Sequence, residues 1–286
     1  MSEHTGGHTA GQMAGHTRRA LSFAGVAEAY DRARPTYPLE AVRWLADGTT
    51  GRVLELGAGT GKLTEPLLGL GQDVVATDPA QPMMRLLARR LPAAPVCLAT
   101  AEQIPLRSRS ADLVVSAQAF HWFDLERALP EIARVLRPGG RLALAWNVRD
   151  ERIPWVRRLG ALIGSPERLS DPTDALVGSR LFGFVDTATF RFWQFHDLSS
   201  LRDLIRSRSN IAVMSELERE RVLRSVDALY AEYGRGADGM RLPYVTRCFR
   251  TVVRPQTPEP PPEGHSDAPG EPDDGLDTDA LLIDFS

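Results

Sequence analysis

Residues 52 to 63 read Arg-Val-Leu-Glu-Leu-Gly-Ala-Gly-Thr-Gly-Lys-Leu, and few architectures can use such a run. Val53, Leu54 and Leu56 make a short apolar segment with β-branched content, while Lys62, Leu63, Glu65, Leu67 and Leu68 suit a helix. The reading is strand, tight loop, helix. Gly57, Gly59 and Gly61 lack the Cβ atoms that would hold a ligand off the backbone, and they accept positive φ. A flat, closely fitting ligand is expected across this loop.

Charge narrows the choice of ligand. Dinucleotide sites use Gly-x-Gly-x-x-Gly and rest a pyrophosphate on the helix N-terminus. Here the spacing is Gly-x-Gly-x-Gly, and Glu55 stands two residues ahead of Gly57, where its carboxylate would repel a phosphate. S-adenosylmethionine (SAM) carries an ammonium, a sulfonium and a ribose and has no phosphate, so it fits better. Asp78 stands 21 positions after Gly57, behind Val74-Val75-Ala76-Thr77, where a second strand would end. A ribose-binding carboxylate belongs about 20 positions on. An N-terminal cap for a helix beginning near Gln81 is the structural alternative for Asp78.

Five blocks in order extend the pattern: Tyr-Asp-Arg-Ala-Arg-Pro-Thr-Tyr-Pro (30 to 38), Val-Leu-Glu-Leu-Gly-Ala-Gly-Thr-Gly (53 to 61), Asp78, Thr-Ala-Glu-Gln-Ile-Pro-Leu (100 to 106) and Leu-Arg-Pro-Gly-Gly-Arg-Leu (136 to 142). Together they resemble the class I SAM-dependent methyltransferases, in particular the small-molecule branch with the ubiquinone/menaquinone-type and trans-aconitate-type enzymes. The resemblance is strong from about residue 22 to 150, weaker to about 254 and absent beyond. It implies an α/β fold: a Rossmann-like sheet, mostly parallel, with an antiparallel edge hairpin and helices on both faces.

The resemblance also implies roles. A segment within 23 to 44 would close over the SAM pocket, with Tyr30, Arg34 and Tyr37 as lid contacts and Arg34 suited to the methionine carboxylate; packing of the two tyrosines and solvation of Arg34 is the other reading. Met83 would flank the adenine or pack in the core. Relatives often carry Asp where this chain has Thr100, so backbone groups around Ala101 and Glu102 would take over adenine recognition. Gln118 would lie near the sulfonium, with His121 facing the acceptor or holding its own loop, and Trp146 and Asn147 would line the acceptor pocket.

The residues predict strands at 53–56, 74–77, 96–99, 113–116 and 142–146, alternating with helices at about 62–70, 81–90 and 125–136. A helix that breaks at Pro35 precedes them, a second begins at Leu39, and Pro138 with Gly139-Gly140 turns the chain into the fifth strand. Such alternation builds a parallel sheet with right-handed crossovers. Ligands then sit at the strands' carboxyl ends, where Gly57, Asp78, Thr100 and Gln118 fall. Further helices are expected at 155–163 and 217–233, and edge strands at 187–195 and 244–253.

Composition sets the remaining bounds. Residues 1 to 20 are rich in Gly, Thr and His and read as a disordered tail, although His4 and His8 have metal-ligand chemistry. Residues 21–254 make the methyltransferase domain, with a helical acceptor-site cap inserted at roughly 151–235; residues 255–286 make a disordered, acidic, Pro-rich tail. Nine of the 37 acids lie beyond Arg254 with no Lys or Arg among them, so the body holds 34 bases against 28 acids. The apolar 281–285 could dock on a partner or be passive. Lys62 is the one lysine, and no basic stripe interleaved with aromatics points to nucleic acid. No apolar stretch reaches the roughly 18 residues of a membrane span, and Cys97 and Cys248 come without a secretory signal. A cytoplasmic protein with reduced thiols is expected, with Cys97 packed in a core strand.

These readings converge on an enzyme: a SAM-dependent methyltransferase acting on a small-molecule acceptor, most simply on oxygen. A carboxylate acceptor needs no base; a hydroxyl does, and His121 is placed to serve. A SAM-binding protein without turnover and a nucleotide-dependent oxidoreductase are the alternatives.

Overall fold

A computed structural model of the chain describes residue 31 and residues 34–164, 171–234 and 239–255. The expected tails over 1–20 and 256–286, together with Tyr30, His4 and His8, lie outside the described residues.

Strand β1 (Arg52–Leu56) is the middle of a seven-stranded sheet ordered β3-β2-β1-β4-β5-β7-β6. Its neighbours β2 (Asp73–Thr77) and β4 (Ala111–Ala117) run parallel to it, as do β3 (Val96–Cys97) beside β2 and β5 (Leu136–Arg149) beside β4. The final strand, β7 (Met240–Val253), is antiparallel to both β5 and β6 (Phe182–His196), which gives the expected edge hairpin. Helix α1 (Leu39–Ala46) precedes β1, and α2 (Thr64–Gly69), α3 (Gln81–Arg90) and α4 (Leu125–Val135) follow β1, β2 and β4.

Because inner strands are covered on both faces, they read as nearly continuous apolar runs. Val53, Leu54, Val74, Val75, Leu113, Val114 and Val115 are all essentially inaccessible. One core packs α4 against Leu54, Leu56, Val114, Leu142 and Leu144, and the other packs α1 and α2 against Val53, Val74, Leu113 and Ala143. A separate core forms where α5 (Pro154–Ile163), α7 (Leu198–Arg206), α8 (Ser209–Ala212) and α9 (Glu216–Tyr233) pack on Met240, Leu242 and Tyr244 of β7. The short α6 (Thr173–Gly178) packs instead on the sheet through Leu176. The helices of 151–235 therefore form two groups: α5, α7, α8 and α9 share the separate core, and α6 packs on the sheet.

Three local differences from the sequence reading have physical causes. First, β3 is two residues long and sits at the sheet edge, so Cys97 is half-buried rather than a core residue, and burial still pushes its thiol up. Second, β5 starts at Leu136 because Leu136 pairs with Ala111; the register then jumps so that Leu113 meets Arg141, and residues 137–140 bulge outward with Gly139 at φ 78°. Third, β5 continues to Arg149 because β7 pairs with it from Arg141 through Arg149.

Candidate active site

The loop between β1 and α2 uses each of its glycines differently. All three have positive φ, at 71° for Gly57, 57° for Gly59 and 89° for Gly61. A Cβ on Gly57 would fall 2.3 Å from the Cβ of Ala119, and one on Gly61 would meet Leu91 at 2.9 Å and Leu87 at 3.1 Å. A Cβ on Gly59 would meet nothing within 4 Å. Two glycines thus let protein pack on the loop, and Gly59 alone faces open space where a ligand can approach the backbone.

Asp78, at the carboxyl end of β2, is tied to that loop. Its Oδ2 accepts the Gly59 N–H at 3.0 Å and its Oδ1 accepts the Ala80 N–H at 2.8 Å. The second bond is a turn ahead of α3, whose N-cap is Ala80 with no side-chain cap bond, so Asp78 is not the helix cap of the alternative reading. Each oxygen keeps a lone pair for a further donor. Burial raises the Asp78 carboxyl above the usual carboxylate range, and the Ala80 and Gly59 N–H groups offset part of that rise.

Glu55 differs from expectation. It is 1% exposed, and Thr64, at the first turn of α2, donates its hydroxyl to Oε2 at 2.6 Å. The side chain therefore lies beneath the loop instead of presenting its charge to a ligand. Burial pushes its carboxyl up to about 8, opposed by the Thr64 bond and reinforced by the Asp78 charge. The loop therefore rests on two coupled acids, and a cation bound above them would favour their ionised forms while a phosphate would oppose them. This arrangement fits the ammonium, sulfonium and ribose hydroxyls of SAM.

The segment before α1 crosses from the glycine loop to the helices. Asp31 pairs with Arg90 at 2.6 Å and with Lys62 at 3.5 Å; Arg90 also donates to the Thr60 carbonyl at 2.9 Å. Tyr37 is buried. Arg34 is tied to Ser207: its Nε donates to Ser207 Oγ at 3.1 Å and its Nη2 to the Ser207 carbonyl at 3.2 Å. The end of α7 needs donors for its last carbonyls, and an arginine meets that need.

Of the residues that the resemblance assigns to the adenine, Met83 of α3 is buried at 4% exposure. Ala101 belongs to the core, while Glu102 is half-buried and its Oε1 accepts the Asp124 N–H at 2.8 Å, which fixes the start of α4. Thr100 is exposed and bridges to Gln103.

Gln118 follows β4 with φ 58°, a conformation seldom adopted outside glycine. Two bonds hold it there, from its N–H to the Ala145 carbonyl at 2.9 Å and from its Nε2 to the Asn147 carbonyl at 2.9 Å. Asn147 also donates from Nδ2 to the Thr36 carbonyl at 3.0 Å and accepts the Thr246 hydroxyl at 2.7 Å. His121 is exposed in a one-turn 3-10 helix over Phe120–Trp122, and the buried Trp146 donates from Nε1 to His121 Nδ1 at 3.4 Å.

Sequence reasoning brought Gly57, Gly59, Asp78, Gln118, His121, Trp146 and Asn147 to one end of the sheet, and the structure places them there. It missed Thr64, Ser207 and Arg90. Thr64 had a weak signal, being a hydroxyl in the first helical turn after the loop. Ser207, 173 residues from its partner Arg34, had none.

The sheet order, the glycine loop and the carboxylate at the end of β2 define a SAM-dependent methyltransferase of class I. The chain belongs to the methyltransferase family. The family described as "Methyltransferase domain" matches residues 54–144. An uncharacterized methyltransferase of Mycobacterium tuberculosis is 45% identical over 237 residues, covering 82% of this chain and 96% of that protein. A malonyl-[acyl-carrier protein] O-methyltransferase of Methylococcus capsulatus is 42% identical over 100 residues, covering 33% of this chain and 36% of the other. Among solved structures, an Anaeromyxobacter dehalogenans protein assigned to the type II methyltransferases is similar at a TM-score of 0.58 and 27% identity, over 77% of this chain and 97% of that one. Among the described residues no helix is long and apolar enough to cross a membrane.

Proposed function

We propose that the chain transfers a methyl group from SAM to an oxygen of a small-molecule acceptor. The observation that carries the reading is Asp78, whose carboxylate is fixed by the Gly59 and Ala80 N–H groups beside the one glycine that faces open space. Asp78 holds the ribose hydroxyls, and Glu55, whose ionised form a cation over the loop favours, supplies negative charge beneath it once SAM is bound. Gly57 lets the Ala119 loop close against the donor site. Met83 and the backbone at Ala101 and Glu102 flank the adenine. Gln118 bounds the space between donor and acceptor.

SAM supplies an electrophilic methyl carbon whose leaving group is a neutral thioether. The protein's share is to bring the acceptor to about 3 to 3.5 Å of that carbon, in line, with water kept out. His121 gives the preference for oxygen. Because Trp146 donates to its Nδ1, the neutral ring carries its proton on Nε2 and offers a donor there. A donor suits a carboxylate acceptor, in which a C–O bond forms as the C–S bond breaks and no proton moves. The O-methyltransferase named among the relatives is consistent with this chemistry.

Incubation with methyl-labelled SAM and a metabolite extract, followed by mass spectrometry, tests the proposal. A labelled small-molecule ester or ether is expected. Binding of SAM with no labelled small product, or label only on nitrogen or carbon, would overturn it.

A further inference from the structure

Positive charge gathers at a second place, the carboxyl end of β5. Arg149 closes that strand with its side chain 5% exposed. Its Nη2 donates to Glu151 Oε1 at 3.2 Å and to the Gly164 carbonyl at 3.2 Å, while its Nε is buried with no hydrogen-bond partner among the described residues. Arg208 places its own Nη2 on the same Gly164 oxygen at 3.3 Å, so two guanidinium groups share one acceptor atom. Arg34 arrives from the segment before α1 and binds Ser207, the residue next to Arg208. Near all three is Tyr244, which is paired with Arg149 across β5 and β7 and 5% exposed. Burial pushes its phenol up to about 12, and the charges of Arg149, Arg34 and Arg208 all act to lower it. The hydroxyl therefore stays protonated and can donate.

Part of this arrangement serves folding. The ends of α5 and α7 present carbonyls, and arginines satisfy them and the helix dipoles. That role uses the Nη2 atoms and leaves Arg149 Nε, in a side chain withdrawn from water, with nothing to hold. Guanidinium groups that share one acceptor atom repel each other, Glu151 offsets the charge of Arg149 alone, and an oxyanion among the three would add attraction. The Nε–H of Arg149 can donate one charge-assisted hydrogen bond to a carboxylate or phosphate oxygen.

The location agrees. Arg149 lies two residues beyond Asn147 and so on the same face of β5, and Asn147 is the residue that takes Gln118 on its carbonyl and the Thr36 carbonyl on its amide. Building on the methyl-transfer reading above, we infer that Arg149, Arg208 and Arg34 form a subsite that binds an oxyanion group, carboxylate or phosphate, of the methyl acceptor.

Calorimetry on the full-length protein tests this. The chain is first saturated with S-adenosylhomocysteine and then titrated with citrate, inorganic phosphate or chloride at matched ionic strength. Citrate or phosphate should bind and chloride should not, and whichever of the two binds identifies the group. Arg149→Met and Arg208→Gln should each weaken that binding at least tenfold. Arg208 is less buried, so Arg208→Gln carries the test if Arg149→Met fails to fold. Absence of citrate and phosphate binding, or equal binding in a folded variant, overturns the subsite. Failure of S-adenosylhomocysteine to bind at all overturns the methyltransferase reading instead, whatever the anions do.

Discussion

Glu55 offers a sharp test of the donor site. With its carboxyl near 8, about ten protonated side chains stand against each ionised one at pH 7. A cation bound over the loop favours the carboxylate, so SAM binding should expel between about 0.5 and 1 proton from this group. Calorimetry at pH 7 in buffers of different ionisation enthalpy reads that number directly. Glu55→Gln, which preserves shape and the Thr64 contact, should abolish the buffer dependence. The same group shapes stability. The folded chain holds a proton that the unfolded chain releases near the ordinary value of 4.5, so stability falls as pH rises from 4.5 to about 8. A shift of this size corresponds to roughly 3 to 5 kcal/mol, and Glu55→Gln should flatten the fall in urea denaturation. Tight SAM binding with the same enthalpy in every buffer would refute the reasoning.

Other tests separate packing from ligand contact. Gly59→Ala should fold with only the roughly 1 to 3 kcal/mol strain of positive φ but lose at least tenfold in SAM affinity by calorimetry, because its Cβ points into open space. Gly57→Ala should unfold at lower temperature than Gly59→Ala, and adding Ala119→Gly should recover part of the loss, since the two Cβ atoms would otherwise stand 2.3 Å apart. Asp78→Ala should weaken SAM binding by about 1.5 to 3 kcal/mol; unchanged affinity would leave Asp78 with only its bonds to the Gly59 and Ala80 N–H groups. His121→Gln, which keeps a donor, should retain more of kcat/KM than His121→Ala, and equal losses would remove the donor role.

Much of the fold was legible because its signals are local. The strand period and the glycine spacing depend on neighbours in sequence, and the helix over Gln81–Arg90 was read to the residue. Strand lengths were less legible, since β5 and β6 extend as far as β7 pairs with them. The site divided along the same line. Gly57, Gly59, Asp78 and Gln118 announce themselves through spacing. Glu55 did not disclose its burial, because that depends on a threonine in the next helix. Arg34 did not disclose its partner, because Ser207 comes from the far end of the chain.

The helices α5, α7, α8 and α9 keep an apolar interior of their own, apart from the two that flank the sheet. Substitutions in that interior can accumulate without loosening the sheet that carries the glycine loop.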